Sequence, residues 1–273
     1  MNNFWQRVLT GALLTLSIVF SLLSGFYFFS ILFFVFSMIG LYEFYRMATP
    51  KNKRRDYFSP MLAGALLYVI CALTASHLIA FEWLEFMIPV AAYFFMIELY
   101  KNRENPFQEI GLTVLGLVYI ALPFSLLNYM AFLPDDTYNY ELVLGCFIFL
   151  WVSDSGAYLV GRRFGKRKLF ERISPGKTIE GSIGGIVLSL AVSYFVIGGL
   201  FTSLSRIDWL VVSAIVSVSG IYGDLIESLL KRSVARKDSG SLLPGHGGVL
   251  DRFDSLILSA PLVYAYIRLI QIF

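Results

Sequence analysis

The stretch WLVVSAIVSVSGIYGDLIESLLKR, Trp209–Arg232, decides how this chain is read. Its apolar run is long enough to cross a bilayer, which takes about 20 residues of helix, yet Asp224 and Glu227 stand inside it. An ionised carboxylate near the centre of a spanning helix costs about 2.5 to 3.5 kcal/mol on insertion scales, so such residues usually face a polar interior and serve a function. For Glu227, nearer the helix end, snorkelling to the interface is an equal alternative. Asp224, Glu227 and Lys231 fall at i, i+3 and i+7 and share one helical face, so that face points at something polar.

The rest of the chain agrees with a membrane setting. Of its 273 residues 57% are hydrophobic and 15% charged, against roughly 45–50% and 25% in a soluble domain. Apolar runs at 8–26, 28–47, 58–78, 83–100, 110–132, 142–161, 183–203, 209–230 and 252–272 predict an all-α integral membrane protein of about nine spans. The loops after the even-numbered spans hold the basic residues; 20 of the 22 Lys and Arg fall on that side, leaving Arg206 and Arg268. The positive-inside rule makes that side cytoplasmic, with the N-terminus inside and the C-terminus outside. Lys51, Lys53, Arg54 and Arg55 are then topology anchors. The first apolar run continues almost directly into the second, which favours a retained helix over a cleaved leader. Residues 1–141 are expected to be a scaffold of N-terminal helices giving lipid access, and 142–273 a catalytic transmembrane region, with no separate soluble domain. Cys71 and Cys146 lie in apolar runs and read as buried thiols, and Gly181 with Gly185 reads as a close helix contact.

The last span begins GGVLDRFDSLILSAPLVYAY, Gly247–Tyr266, with Asp251 and Asp254 again on one face. If the last two helices meet at their cytoplasmic ends, Asp224, Asp251 and Asp254 converge, and three carboxylates repel unless a cation holds them. Hard oxygen ligands suit Mg²⁺, with room for a second cation. Asp154 and Glu227 are further candidate ligands.

Cations surround these acids: Lys231, Arg232, Arg236, Lys237, His246 and Arg252, interleaved with Asp238 and with the glycines of PGHGG, 244–248. Glycines let backbone approach a ligand closely, so Gly247 and Gly248 join Arg232 and Asp238 as expected substrate contacts. His246 reads as a phosphate or metal-shell contact. A second patch, RISPGKTIEGSIGG, Arg172–Gly185, offers Ser174, Lys177, Thr178 and Glu180 at the mouth of a helix, where anions are favoured. Its GKT triplet is not a Walker motif, because the leading glycine would fall at Glu171.

The order Ser228-x-x-Lys231-Arg232-x4-Lys237-Asp238-x5-Pro244-Gly245-His246-Gly247-Gly248-x-x-Asp251-Arg252-x-Asp254 resembles the C-terminal motif of the phosphatidate cytidylyltransferases, or CDP-diacylglycerol synthases, and SPGKTIEG is similar to a second patch of that family. The resemblance implies transfer of a cytidylyl group from CTP to phosphatidate, with magnesium required and pyrophosphate released. It implies that Asp224 and Asp251 hold the metal and that Lys231, Lys237, His246 and Arg252 complete the catalytic set. The implied partners are CTP, phosphatidate of the cytoplasmic leaflet, the lipid of the cell membrane and a second copy of the chain; no nucleic acid is among them. Two rivals stay open on the residues alone. A cation-coupled transporter also needs intramembrane carboxylates, though hydropathy shows no inverted repeat. A CDP-alcohol phosphotransferase would carry D-x-x-D-G-x-x-A-R, which is absent. A sister enzyme acting on an ether-linked lipid fits as well.

Overall fold

Helix boundaries in this chain are set by its glycines, prolines and side-chain caps. The structure, a computed structural model, describes residues 3–49, 57–101, 103–133, 136–236, 239–240 and 247–272. The first helix, α1 (Asn3–Leu23), is parted from α2 (Phe26–Ala48) by Gly25 at φ 107°, a backbone state that side chains disfavour. Then follow α3 (Phe58–Ala75), α4 (Phe81–Tyr100) and α5 (Pro106–Met130). Helix α5 opens on Pro106, whose missing N–H is no loss at the first helical position. A wide π turn at Leu117–Ala121 lies just ahead of Pro123, which has no N–H for the ladder.

The second half contains α6 (Glu141–Phe164), a hairpin of β1 (Lys168–Phe170) and β2 (Ser174–Thr178), α7 (Ile179–Leu200), α8 (Arg206–Ser233) and α9 (Leu250–Ile272). By length and composition α2 to α9 are eight helices able to cross a membrane, among the described residues. The apolar part of α1, Val8–Leu23, is shorter. Large apolar side chains such as Phe20, Ile31, Leu99 and Phe195 face outward, as they do where the solvent is hydrocarbon. The chain is a multi-pass, helical membrane protein, and the antiparallel hairpin is a small addition to the all-α reading.

Two compact units divide it. One comprises 1–129 with 239–250, the other 130–238 with 251–273. Among the described residues, 239–240 and 247–250, which the sequence suggested as part of a C-terminal region 142–273, thus group with the N-terminal helices. The first unit is centred on aromatic side chains, among them Phe29, Phe33, Phe44, Tyr45, Tyr68 and Phe124, all buried. Buried hydroxyls there find acceptors: Tyr45 donates to the Thr113 carbonyl at 2.9 Å and Tyr68 to that of Ser30 at 2.9 Å. Gly116 leaves room for the Tyr45 ring, since a Cβ there would lie 2.5 Å from the phenol oxygen. Cys71 is buried in this unit and Cys146 in the other, both as free thiols.

In the second unit Trp209 packs over Gly145 and edge-on to Phe149. Ser205 caps α8 by accepting the Asp208 N–H at 3.2 Å, and Asp208 accepts the Tyr266 hydroxyl at 2.7 Å. The Glu141 carboxylate accepts the N–H groups of Thr202 and Ser203, each at 2.8 Å, which fixes the turn before α8 to the start of α6.

Candidate active site

Small residues decide which acids meet. Helices α8 and α9 run antiparallel and touch through Gly220 and Gly223 on one side and Ser255 and Ser259 on the other. Ser255 donates to the Gly220 carbonyl at 3.0 Å and Ser219 to the Ser259 hydroxyl at 2.8 Å. A Cβ on Gly223 would lie 2.5 Å from the Asp254 carbonyl, so the backbones approach as closely as glycine allows. That approach sets Asp224 beside Asp254.

Asp224, Glu227 and Asp254 form the resulting cluster, each offering a carboxylate oxygen within 4.8 Å of the others. Three acids so close repel unless cations offset them. Lys177 reaches Asp224 at 2.5 Å, and Ser228 donates to the other Asp224 oxygen at 3.2 Å. Lys231 pairs with Glu227 on its own helix and with Asp251 at 2.7 Å. Asp254 accepts the Ser255 N–H at 2.6 Å. The third member of the cluster is therefore Glu227, where the sequence suggested Asp251. In an antiparallel pair Asp251 lies one turn farther out than Asp254, near the level of Glu227, and the Lys231 side chain joins the two. Glu227 is fully buried, so it does not snorkel.

The second patch arrives from the hairpin. Gly156 of α6 and Gly181 and Gly185 of α7 bring these helices into backbone contact; a Cβ on Gly185 would lie 2.5 Å from the Ser153 carbonyl. Between them and β2 is a cavity of about 340 Å³ whose wall includes Asp154, Tyr158, Arg162, Lys177, Thr178 and Ser182. Asp154 stands on the wall of this cavity, with Lys177, Asp224 and Arg252 as its charged neighbours. Lys177 stands on a strand that runs straight into α7, so GKT forms no phosphate-cradling loop.

Two expected substrate contacts serve the fold. Thr178 is the N-cap of α7, accepting the Gly181 N–H at 3.2 Å. Glu180 accepts the N–H groups of Lys166 at 3.0 Å and Arg167 at 3.1 Å, closing the hairpin onto the helix. Ser174 opens β2, paired with Phe170. Arg232 and Arg252 are exposed. Lys237, Asp238 and His246 lie outside the described residues, as do Lys51, Lys53, Arg54 and Arg55.

The glycines at the end of the motif meet a residue the sequence reading passed over. Glu43 of α2, buried at 4% exposure, accepts the Leu250 N–H at 2.9 Å and the Ser239 hydroxyl at 3.5 Å. A Cβ on Gly248 would lie 2.5 Å from one Glu43 oxygen, and one on Gly240 would collide with the other. Gly248 is thus needed for packing against a carboxylate in the first unit. Gly247 takes φ 80°, again a glycine conformation. The signal for Glu43 was an acid inside an apolar span, the same signal that singled out Asp224.

Comparison with known proteins gives the family. The sequence profile of the Cytidylyltransferase family matches residues 5–270. The chain is 34% identical over 273 residues to a phosphatidate cytidylyltransferase of Bacillus subtilis, covering 98% of this chain and 99% of that protein. One from Staphylococcus epidermidis is 34% identical over 265 residues, covering 94% and 96%. One from Staphylococcus aureus is 40% identical over 167 residues, covering 60% and 61%.

Proposed function

That the chain belongs to the cytidylyltransferase family is the premise from which we propose its reaction: CTP plus phosphatidate gives CDP-diacylglycerol plus pyrophosphate, a step of phospholipid synthesis. The observation that carries the reading is the meeting of Asp224, Glu227 and Asp254 with Lys177 and Lys231 beside the cavity.

Phosphatidate needs little activation, because a phosphate monoester loses its second proton near pH 6. Its oxygen attacks the α-phosphorus of CTP in line. The new P–O bond forms as the bond to the bridging oxygen breaks, and pyrophosphate leaves with that electron pair. The protein's task is to align two anions and offset their charge. Lys177 on the cavity wall, Lys231 and Arg252 are the groups we assign to the phosphate oxygens, with Arg232, Lys237, Asp238 and His246 proposed from the motif.

The acid cluster fits Mg²⁺, which takes hard oxygen ligands and is held by one or two carboxylates plus substrate phosphates. Asp224, Glu227 and Asp254 would hold it, with Asp251 and Asp154 adjoining. Bound there, it would neutralise charge on the reacting phosphates and the leaving group.

We place the site at the cytoplasmic face of the cell membrane, where CTP is dissolved; the basic residues at the ends of α6 and α8 support that orientation. A homodimer is proposed too, from the family resemblance alone. The deciding experiment is pyrophosphate release by purified protein with CTP and Mg²⁺, with and without phosphatidate. Release that requires both substrates is expected. Ion-coupled flux without CTP consumption would instead restore the transporter.

A further inference from the structure

We infer that Glu43 is a positioning residue for the transfer reaction, setting the start and the helical phase of α9. The inference rests on the cytidylyltransferase reading for its effect on turnover, and on geometry alone for the anchoring itself.

The first N–H groups of a helix have no partner within it, and a carboxylate is the strongest acceptor available at that end. Leu250 is the first residue of α9, and its N–H goes to Glu43 at 2.9 Å. Burial makes the bond hard to exchange: Glu43 is 4% exposed, and Leu250 is buried as well. The same carboxylate accepts the Ser239 hydroxyl. Two glycines are fitted to it, because a methyl group on either Gly240 or Gly248 would strike its oxygens. One acid on α2 therefore organises residues on both sides of the PGHGG motif, some two hundred positions away in sequence.

The residues that follow Leu250 in the helix are the ones that matter. Asp251 pairs with Lys231, and Asp254 belongs to the acid cluster. With 3.6 residues per turn, a slip of one residue rotates α9 by about 100° and turns both carboxylates off their partners. The seam with α8 holds the helix from Asp254 onward, and at its first residue the fixed acceptor is the Glu43 carboxylate. Glu43 touches no reacting atom in this scheme. It acts through Asp251 and Asp254.

The test is Glu43→Gln in the full-length protein in detergent. The amide is isosteric and can keep its oxygen toward both donors, but it replaces a charged acceptor by a neutral one, whose hydrogen bonds are about half as strong. Hydrogen exchange by mass spectrometry should show the peptide covering 249–256 exchanging about tenfold faster, with 258–266 unchanged. Turnover per folded molecule should fall about tenfold, with KM for phosphatidate within about threefold, because the lesion misplaces catalytic carboxylates and spares lipid binding. Ser239→Ala should move both readouts the same way by a smaller factor. If Glu43→Gln does not fold, Ser239→Ala and Gly248→Ala decide, the latter pressing a methyl group onto the carboxylate. Unchanged exchange at 249–256 would overturn the anchoring, and unchanged turnover per folded molecule would overturn the positioning role. Should the unaltered protein release no pyrophosphate, the cytidylyltransferase reading falls, while the exchange measurement still decides whether Glu43 holds α9.

Discussion

Asp224 and Asp254 face each other because Gly223 has no side chain, and the chemistry proposed for them depends on charge more than on shape. Asp224→Asn and Asp254→Asn keep the volume and remove a negative charge from the cluster. Each is expected to lower turnover at least about 100-fold while the protein still elutes as a folded species, since an electrostatic group in a water-poor site carries several kcal/mol of catalysis. Near-normal pyrophosphate release in either variant would remove the cluster from the mechanism. Lys177→Met should also fall, and Lys177→Arg should recover part of the loss if charge at that position is what counts. Much of this was legible in the sequence, because acids inside apolar runs announce themselves. What could not be read was the choice of Glu227 over Asp251 as the third acid. That choice depends on the crossing of α8 and α9, which the spacing of acids does not encode. Glu43 carried the same signal as Asp224, an acid inside an apolar run, but its partners Ser239 and Leu250 lie some two hundred residues away, which no local pattern shows.

Among the elements, the hairpin between α6 and α7 was the least foreseeable. Residues 166–178 carry no alternating apolar pattern, so their pairing owes more to Glu180, which collects the backbone N–H groups of Lys166 and Arg167, than to strand propensity. Thr178 illustrates the result: its place beside a lysine suggested a phosphate contact, and its side chain caps α7 instead. Thr178→Val is accordingly expected to cost about 1 kcal/mol of stability, seen as a lower melting temperature, while KM for CTP stays put. A large rise in KM would return Thr178 to the substrate. The seam between α8 and α9 makes a sharper demand. Gly223→Leu forces a side chain into the Asp254 backbone; overpacking of this kind costs about 1–3 kcal/mol, and activity should vanish before the fold does. The glycines and serines of this seam were visible as a small-residue pattern, but the pattern alone does not say which neighbour it faces.

At the scale of the molecule, hydropathy marks nine apolar runs, and eight of them, α2 to α9, are helices long and apolar enough to cross a membrane among the described residues, since a bilayer leaves the backbone few alternatives to helix. The division into two units does not follow from hydropathy, because residues 239–240 and 247–250 group with the N-terminal helices and not with their sequence neighbours. Orientation can be measured with little engineering, as Cys71 and Cys146 are buried and should not react with a membrane-impermeant maleimide. Lys166→Cys, after α6, is expected to label from the cytoplasmic face, and Thr202→Cys, after α7, from the other. The reverse pattern would invert the topology and move the site away from cytoplasmic CTP. The ion pairs also bear on how the chain is made. A ribosome releases Lys177 before Asp224, and Lys231 follows Glu227 by a single turn of the same helix. Neither acid of α8 depends on α9 for its base, because one base precedes it in the chain and the other lies on its own helix. When Asp251 is finally synthesised, Lys231 is there to receive it. The order of translation is thus an order of charge neutralisation, and a nascent chain halted before α9 would already hold both acids of α8 in company.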